Sequence, residues 1–157
     1  MSPTGSTGSG PTDSADSAGH GAPVVVGYDG SPDARSAVAW AARTARALRA
    51  RLRVVHAVGL LEHAGLGAAT AVDGDAARAI AVDEGMDPLD VEWCVVDGDP
   101  CTALLRMAGS PGGIALLVVG SRGASAHPGT LLGSTSLELA EHAPVPLTIV
   151  PAGPGSA

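Results

Sequence analysis

A glycine-rich stretch with several backbone and side-chain donors lies in the last third of the chain. It reads GSRGASAHPGTLLGST from Gly120 to Thr135 and holds four glycines, no carboxylate and one fixed cation, Arg122. It follows the apolar run IALLVV and precedes the helix-like segment SLELAEH. Glycine lets a ligand come close to the backbone, and the first amides of a helix have no partner inside the helix and attract anions. The stretch therefore predicts a site for an anion such as a phosphate group.

The residues alone leave two interpretations of this stretch open. Thr135 and Glu138 fit the capping box T-x-x-E, which starts a helix without any ligand, and glycines after a strand can simply form a turn. The phosphate interpretation gains weight because an arginine fork can donate two hydrogen bonds to one phosphate, and small residues leave room for it. The cluster that favours it is Gly120, Arg122, Gly123, Gly133 and Ser134.

Three common phosphate-binding motifs are excluded by the sequence. The chain contains no lysine, and a Walker A loop needs a lysine before its Ser or Thr. A receiver domain is excluded for the same reason, because it also needs a lysine. The turn after the first apolar run reads GYDGSPDA, which does not match the dinucleotide fingerprint G-x-G-x-x-G. A phosphate site in this chain must therefore be of another kind.

Strands and helices alternate around these groups. Apolar runs predict strands at 24–28, 52–58, 91–96, 114–119 and 145–150, and helical periodicity predicts helices at 31–50, 75–84, 99–109 and 134–142. The strands are apolar without interruption, which indicates a parallel sheet covered by helices on both faces. We expect an α/β fold, an open doubly wound five-stranded parallel sheet in a three-layer sandwich. Ligands of such sheets bind beyond the carboxyl ends of strands, where Asp29, His56 and the glycine-rich stretch all lie.

The first predicted helix carries clear start signals. Ser31 can cap it, Pro32 suits its first position, and Asp33 favours the positive end of the helix dipole. One stripe of the helix is apolar and predicts the buried face: Ala34, Val38, Ala41, Ala45 and Leu48. A second arc predicts a solvated basic face: Arg35, Arg43, Arg46 and Arg49.

Composition limits the class of protein. The net charge of −7 argues against nucleic acid and anionic membranes as partners, and no apolar run approaches the length of a membrane span. The two cysteines, Cys94 and Cys101, form no metal or redox spacing, which favours a reduced, cytoplasmic setting. His56 lies on a predicted buried strand, where a hydrogen-bonded structural histidine is expected. We find no catalytic base beside a nucleophile and no metal-ligand spacing.

The ends of the chain differ in composition from its middle. Residues 1–22 are rich in Ser, Gly, Thr, Asp and Pro, which cannot bury enough apolar surface to offset the entropy of ordering. We expect a flexible tail at 1–22, one domain at 23–152 and a flexible end at 153–157. The conformation of the segment 59–85, which is glycine-rich, stays open, although a helix from about Asp75 to Glu84 with a loop before it is expected.

The motifs resemble those of the universal stress protein family. Its ATP-binding members carry G-x2-G-x9-G-[ST] between the fourth strand and the fourth helix, and Gly120, Gly123, Gly133 and Ser134 match it. The first strand of the family ends in a turn similar to YDGS, with Asp29 at the acidic position, and its second strand often ends in HA, as at 56–57. The resemblance covers residues 23–151 in the same order of elements.

This resemblance implies a Rossmann-like domain of the adenine nucleotide alpha hydrolase type, which binds ATP, with Mg²⁺, and forms a homodimer. Asp29 is expected beside the adenosine, with Gly27 and Ala57 as backbone neighbours of the adenine and ribose. The dimer is expected to form through the edge strand Val145–Val150. The triphosphate cradle is expected to comprise Gly120, Arg122, Gly123, Gly133, Ser134, Thr135 and Ser136.

The function implied is that of a nucleotide-responsive regulatory or protective module in the stress response, with at most weak ATP hydrolysis. Two alternatives remain from the residues. One is an enzyme on the same fold, a slow ATPase or a nucleotidyl transferase, which needs a positioned base and an acceptor. The other is a dimeric interaction protein that binds no nucleotide, against which the intact glycine motif argues.

Overall fold

A computed structural model describes residues 20–59 and 72–153 of the chain. The predicted tail lies outside the described residues except for its last three positions, as does most of the predicted flexible end. Of the segment 59–85, whose conformation stayed open from the sequence, residues 60–71 also lie outside them, and the helix expected at 75–84 is present as Gly74–Asp83.

Nine helices and strands alternate along the described residues, in the predicted order. A short 3₁₀ turn, Pro88–Asp90, precedes the third strand. The strands are β1 Gly21–Gly27, β2 Ala50–Val58, β3 Val91–Asp97, β4 Leu116–Gly120 and β5 Leu147–Val150. The helices are α1 Pro32–Leu48, α2 Gly74–Asp83, α3 Pro100–Ala108 and α4 Ser134–His142.

The five strands form one parallel sheet in the order β3-β2-β1-β4-β5. One face of the sheet packs against α1 and α2 through a cluster that includes Val26, Val54 and Val118. The other face packs against α3 and α4 through a cluster that includes Leu117 and Leu139. The predicted three-layer, doubly wound sandwich is therefore confirmed, and the direction of winding reverses between β1 and β4.

Several predicted strand boundaries are wrong by two or three residues. β1 begins at Gly21, so it includes the last two residues of the predicted tail. β2 begins at Ala50, because Arg49 takes a left-handed conformation that ends α1 and starts the strand at once. β4 begins at Leu116 rather than 114, since its register with β1 starts at the pair Val24 and Leu116.

The last strand also begins later than predicted. β5 starts at Leu147, so Pro146 lies just before it rather than inside it. Proline has no N–H to give to a strand ladder, although its carbonyl here accepts a hydrogen bond from the amide of Leu117 at 3.0 Å. β5 is nevertheless at the edge of the sheet, as predicted.

The start of α1 follows the sequence signals, but its predicted buried stripe is too long. The Ser31 side chain accepts a hydrogen bond from the amide of Ala34 at 3.2 Å, which confirms the predicted cap. Leu48 is 53% exposed because it lies in the last turn, where the chain already leaves the helix for β2. The rest of the stripe is buried as predicted: Ala34, Val38, Ala41 and Ala45.

The basic face of α1 is exposed, and part of it holds the end of α2. Arg43 forms an ion pair with Glu84 at 2.9 Å, and Arg46 donates to the Glu84 carbonyl at 2.8 Å. These exposed contacts join α1 to the residue that follows α2.

Candidate functional site

A cavity of about 610 Å³ opens at the carboxyl ends of β1, β2 and β4, where the winding of the sheet reverses. This is the place where doubly wound sheets bind ligands, and the volume lies within the range of about 300–1,000 Å³ that is typical of small-molecule sites. All ten residues singled out from the sequence line it: Gly27, Asp29, Ala57, Gly120, Arg122, Gly123, Gly133, Ser134, Thr135 and Ser136.

The first turn of α4 opens into this cavity without a side-chain cap. Gly133 occupies the cap position, with φ −73° and ψ 161°, and no side chain bonds to the amides that follow it. The capping-box interpretation is therefore wrong, because Thr135 is already the second residue of the helix and cannot cap it. The hydroxyls of Ser134 and Thr135 form no hydrogen bond with the part of the chain that the structure describes. These amides and hydroxyls remain available to an anion.

Ser136 lines the cavity, but its hydroxyl is already used. It donates to the carbonyl of Gly120 at 2.7 Å, and the residue is only 4% exposed. This bond fixes the start of α4 to the end of β4. The Ser136 hydroxyl therefore ties two elements together, because α4 begins directly against the strand, and the place of Ser136 in the expected phosphate cradle stays a prediction.

Two glycines of the motif bring backbone segments close together. A Cβ atom on Gly120 would lie 2.8 Å from the Ala34 nitrogen, so β4 can meet the first turn of α1 only at a glycine. A Cβ atom on Gly123 would lie 2.8 Å from an oxygen of Asp29. Both glycines therefore shape the site through close packing as well as through an open backbone.

Asp29 joins the end of β1 to the glycine-rich stretch. One carboxylate oxygen accepts a hydrogen bond from the Ser31 amide at 3.0 Å, and the other accepts from the Ala124 amide at 2.7 Å. It is the only carboxylate side chain among the described residues that line the cavity. A carboxylate beside an adenosine can still accept from ribose hydroxyl or amino groups, since each oxygen has a second lone pair.

Asp33 and Ser121 lie next to the site and were not singled out for it by the sequence analysis. Asp33 is buried, and one of its oxygens accepts hydrogen bonds from the Ser121 hydroxyl, the Arg122 amide at 3.0 Å and the Arg122 Nε at 3.4 Å. Burial alone would raise the pKa of the Asp33 carboxyl, but these hydrogen bonds and the guanidinium hold that pKa below its ordinary value. A carboxylate in the first turn of α1 and a serine directly after β4 were the available signal, but their pairing depends on tertiary structure.

The opposite side of the cavity is mostly apolar. Val55, Leu104 and Val119 line it, next to the backbone of Gly27. The His56 Nδ1–H donates to the carbonyl of Tyr28 at 3.0 Å, which confirms the predicted structural role of this histidine. The cavity thus has an apolar side on β1, β2 and α3 and a polar side at α4 and the glycine-rich stretch.

The sequence pattern of the Universal stress protein family matches residues 22–151. The chain belongs to this family. A universal stress protein of Mycobacterium bovis is 30% identical over 156 residues, which cover 83% of this chain and 48% of that protein. A universal stress protein of Mycobacterium tuberculosis is 32% identical over 142 residues, covering 81% of this chain and 46% of that protein. The chain thus spans about half the length of these curated relatives.

Solved structures of universal stress proteins share the fold. One, a complex with cAMP, is 31% identical, with a TM-score of 0.63 over 85% of this chain and 99% of that chain. Another, from Lactobacillus plantarum, is 22% identical, with a TM-score of 0.70 over 83% of this chain and 98% of that chain. The second likeness concerns the fold alone.

The two thiols of this universal stress protein are poor nucleophiles. Burial raises the pKa of both thiols, Cys94 and Cys101, to about 11, and Cys101 is 1% exposed. Helix α3 buries Cys101 against the sheet. Among the described residues no group of three or more His, Cys, Asp or Glu is placed to hold a metal ion, and no helix is long and apolar enough to cross a membrane.

Proposed function

We propose that this universal stress protein binds ATP in the cavity at the switch point and acts as a nucleotide-responsive regulatory or protective module. One observation carries the proposal. The first turn of α4, with no side-chain cap and with Ser134 and Thr135 unbonded among the described residues, faces a cavity whose other side is apolar. An adenine nucleotide has the same division, with an apolar base at one end and an anionic phosphate chain at the other.

The polar side supports binding of the phosphates. The α4 amides and two hydroxyls supply donors, and the helix dipole adds a partial positive charge. Arg122 lines the cavity, and its side chain is 46% exposed, with Nε near Asp33. The other N–H groups of the guanidinium can therefore donate to a phosphate while its Nε is bonded to the buried Asp33 carboxylate.

The apolar side supports binding of the adenosine. Ala57 and Gly27 line the cavity with little side chain, so a flat base can approach the backbone at the ends of β1 and β2. Asp29 lies between the two sides and can accept from a ribose hydroxyl. The relative with 31% identity, solved as a complex with cAMP, supports an adenine nucleotide in a protein of this family.

Mg²⁺ fits this site only as a partner of the nucleotide. Among the described residues that line the cavity, Asp29 is the carboxylate that could hold the ion, and both of its oxygens already accept amide hydrogen bonds. Mg²⁺ bound to ATP takes most of its ligands from phosphates and water and neutralises part of the phosphate charge. We therefore expect the ion to enter with ATP, with Asp29 as its single protein neighbour.

Two candidate bases of the cavity, Asp29 and His56, already have hydrogen-bond partners, which favours binding over catalysis, and His127, which also lines the cavity, is the remaining candidate base. Asp29 accepts two amide hydrogen bonds, and the Nδ1 of His56 is bonded to the Tyr28 carbonyl. A general base must be within reach of the proton it removes and free to accept it. We propose at most slow hydrolysis; sustained ADP release from Mg·ATP at 37 °C would favour the alternative of a slow ATPase.

We further propose that the protein is a homodimer that pairs through β5 and that it acts in the cytoplasm. β5 is an edge strand of four residues, each of which is half-buried in the single chain. Edge strands expose unpaired backbone groups that another strand can cover. The cytoplasmic location remains a prediction from the two unpaired cysteines.

Calorimetric titration tests the nucleotide proposal. Wild-type protein is titrated with ATP and with cAMP, each with and without Mg²⁺, and the same titrations are made with Gly133→Val. A Cβ atom on Gly133 would lie 3.4 Å from the Gly123 nitrogen, an ordinary contact, so the fold should tolerate it. The branched side chain would fill the space before the α4 amides, and we expect ATP affinity to fall at least about tenfold.

Gly109→Val is the matched control. It makes the same chemical change at the end of α3, outside the cavity, where a Cβ atom would lie 3.6 Å from the Leu105 carbonyl. We expect its ATP affinity to equal that of the wild type. Equal affinity in a folded Gly133→Val variant would reject the phosphate cradle, and a wild type that binds no nucleotide would favour the interaction-protein alternative.

A further inference from the structure

The buried polar residues of this chain lie at one junction. Among the described residues that are buried, four are polar or charged: Ser31, Asp33, Ser121 and Ser136. They lie where the turn after β1, the end of β4 and the start of α4 meet. Buried polar groups stabilise a fold only when they are fully hydrogen-bonded. Four of them at one junction therefore indicate that the backbone segments there are held in a defined arrangement.

Asp33 is the charged member of this junction, and its contacts leave its own helix. Its carboxylate accepts from the Ser121 hydroxyl, the Arg122 amide and the Arg122 guanidinium, which are 88 and 89 residues away in sequence. α1 does not need it as a cap, because Ser31 already accepts from the Ala34 amide. A buried carboxylate is costly unless several donors satisfy it, and here all of the donors belong to the glycine-rich stretch.

Two aspartates divide the glycine-rich stretch between them. Asp33 holds residues 121 and 122, whereas Asp29 holds the amide of Ala124. The Ser31 hydroxyl also donates to the Arg122 carbonyl at 3.4 Å. The segment 29–33 therefore fixes the backbone of 121–124 from one side before any ligand arrives.

We propose that Asp33 is a positioning residue that holds Ser121 and Arg122 in the conformation that receives the phosphates, and that it thereby sets the preference of the site for nucleotides over nucleosides. This inference rests on the proposed function. Asp33 does not line the cavity and acts through Arg122, which does. A site that is already held in its binding conformation loses less conformational entropy when the ligand binds.

Binding of ATP and of adenosine, measured side by side, tests the inference. Asp33→Ala removes the acceptor, and Asp33→Asn keeps a neutral oxygen in the same place. We expect Asp33→Ala to weaken ATP binding by about tenfold or more and to change adenosine binding by less than about twofold, because only the phosphates meet residues 121–122. Asp33→Asn should recover most of the loss and bind ATP within about threefold of the wild type.

Asp73→Ala is the control for a loss of helix stability. Asp73 caps α2, where its side chain accepts from the Asp75 amide at 2.8 Å, and it lies outside the cavity lining. It should leave the ATP-to-adenosine affinity ratio unchanged. If Asp33→Ala does not fold, Ser121→Ala, which removes one donor to Asp33, should lower the same ratio by a smaller factor.

Amide hydrogen exchange without nucleotide separates this inference from the proposed function. In Asp33→Ala, or in Asp33→Asn if the former is unfolded, exchange at Arg122 should become faster, by about tenfold in the alanine variant. Exchange at Ala124 should stay close to that of the wild type, because Asp29 still holds it.

Unchanged exchange at Arg122 would overturn the positioning role even if ATP binds. Equal losses of ATP and adenosine affinity would also overturn it, since a general structural defect affects both. If the wild type fails to bind ATP but exchange at Arg122 is faster in the Asp33 variant, the proposed function and the nucleotide preference are rejected. Only the contact between Asp33 and the Arg122 amide then remains.

Discussion

Gly120 brings the end of β4 against the first turn of α1. The ideal Cβ position at Gly120 is 2.8 Å from the nitrogen of Ala34 and 2.8 Å from the carbonyl carbon of Asp33, and both are backbone atoms that cannot rotate away. This contact also brings Asp33 within reach of Ser121 and Arg122. One glycine thus controls both the packing of the helix and the contacts of the buried carboxylate.

Gly120→Ala should therefore destabilise the protein. Overpacking of this kind costs about 1–3 kcal/mol, and we expect that loss in the free energy of unfolding measured with urea. Gly109→Ala is the matched control and should change stability much less, because its Cβ atom would meet only the Leu105 carbonyl at 3.6 Å. A Gly120→Ala variant as stable as the wild type would show that the strand and helix can separate without cost.

Asp33 should also give the protein a measurable pH dependence. The pKa of its carboxyl is lower in the folded chain than its ordinary value, so the ionised form stabilises the fold. That contribution is present above the unfolded pKa of about 3.9 and is lost as pH falls through the folded pKa. Asp33→Asn should cost about 1 kcal/mol at pH 7 and progressively less below about pH 4. Urea unfolding of both proteins at pH 7 and pH 3 checks this, and a constant difference would contradict it.

At the level of elements, the junction of α1 and β2 carries local strain. Arg49 ends the helix with φ 52° and ψ 41°, and it is the one non-glycine residue with positive φ among those described. Its amide donates to the carbonyls of Ala45 and Arg46, so the left-handed turn closes the helix as a glycine usually would. The chain then enters β2 at the next residue.

Arg49→Gly should stabilise the protein. The left-handed conformation costs an L-residue about 1–2 kcal/mol, and added freedom of the unfolded chain offsets part of this, so we expect a gain of about 0.5–1 kcal/mol. Ala47→Gly, at an exposed position inside the last turn of α1, is the control and should cost about 1 kcal/mol. Thermal unfolding of the two variants should give shifts of opposite sign; a loss of stability in Arg49→Gly would mean that the arginine side chain outweighs the strain.

The sequence predicted elements better than it predicted contacts. Apolar runs and cap residues located every described strand and helix, because burial on both faces of a sheet and helix caps leave local signals. Pro146 shows a limit of this reasoning, since its neighbours are apolar but the strand begins only after it. Asp33 shows a second limit. Its position predicted only a favourable interaction with the dipole of α1, whereas its hydrogen bonds to Ser121 and Arg122 depend on how closely Gly120 lets β4 approach that helix.

The sequence predicted which residues line the site better than it predicted what each side chain does there. The ten chosen residues line one cavity because they lie at strand ends that the topology brings together. The hydrogen bonds that each side chain forms depend on distances in the folded structure, which the spacing of residues in the sequence does not determine. Thr135 fits a capping box in sequence, yet the helix starts at Ser134, and the hydroxyl of Ser136 is bonded to the Gly120 carbonyl at the end of β4.

At the level of the whole molecule, the two edges of the sheet differ. β3 forms one edge and carries charged residues such as Glu92 and Asp97, while β5 forms the other and has the sequence LTIV. Leu147 and Ile149 pack against the α3 and α4 face of the sheet. Charges at either residue would therefore destabilise the single chain before they could report on a dimer.

Thr148 gives a cleaner test of the β5 dimer. It lies between Leu147 and Ile149 and so points to the other face of the strand. If two β5 strands pair about a two-fold axis, Thr148→Glu places like charges close together across it, which destabilises such a pair. Sedimentation at micromolar concentration should show a dimer for the wild type and a monomer for Thr148→Glu. The control is Val95→Glu on β3, the opposite edge, where the residue is 56% exposed and a dimer should persist. A wild type that sediments as a monomer with and without ATP would contradict the proposal, and a dimer lost only in Val95→Glu would move the interface to β3.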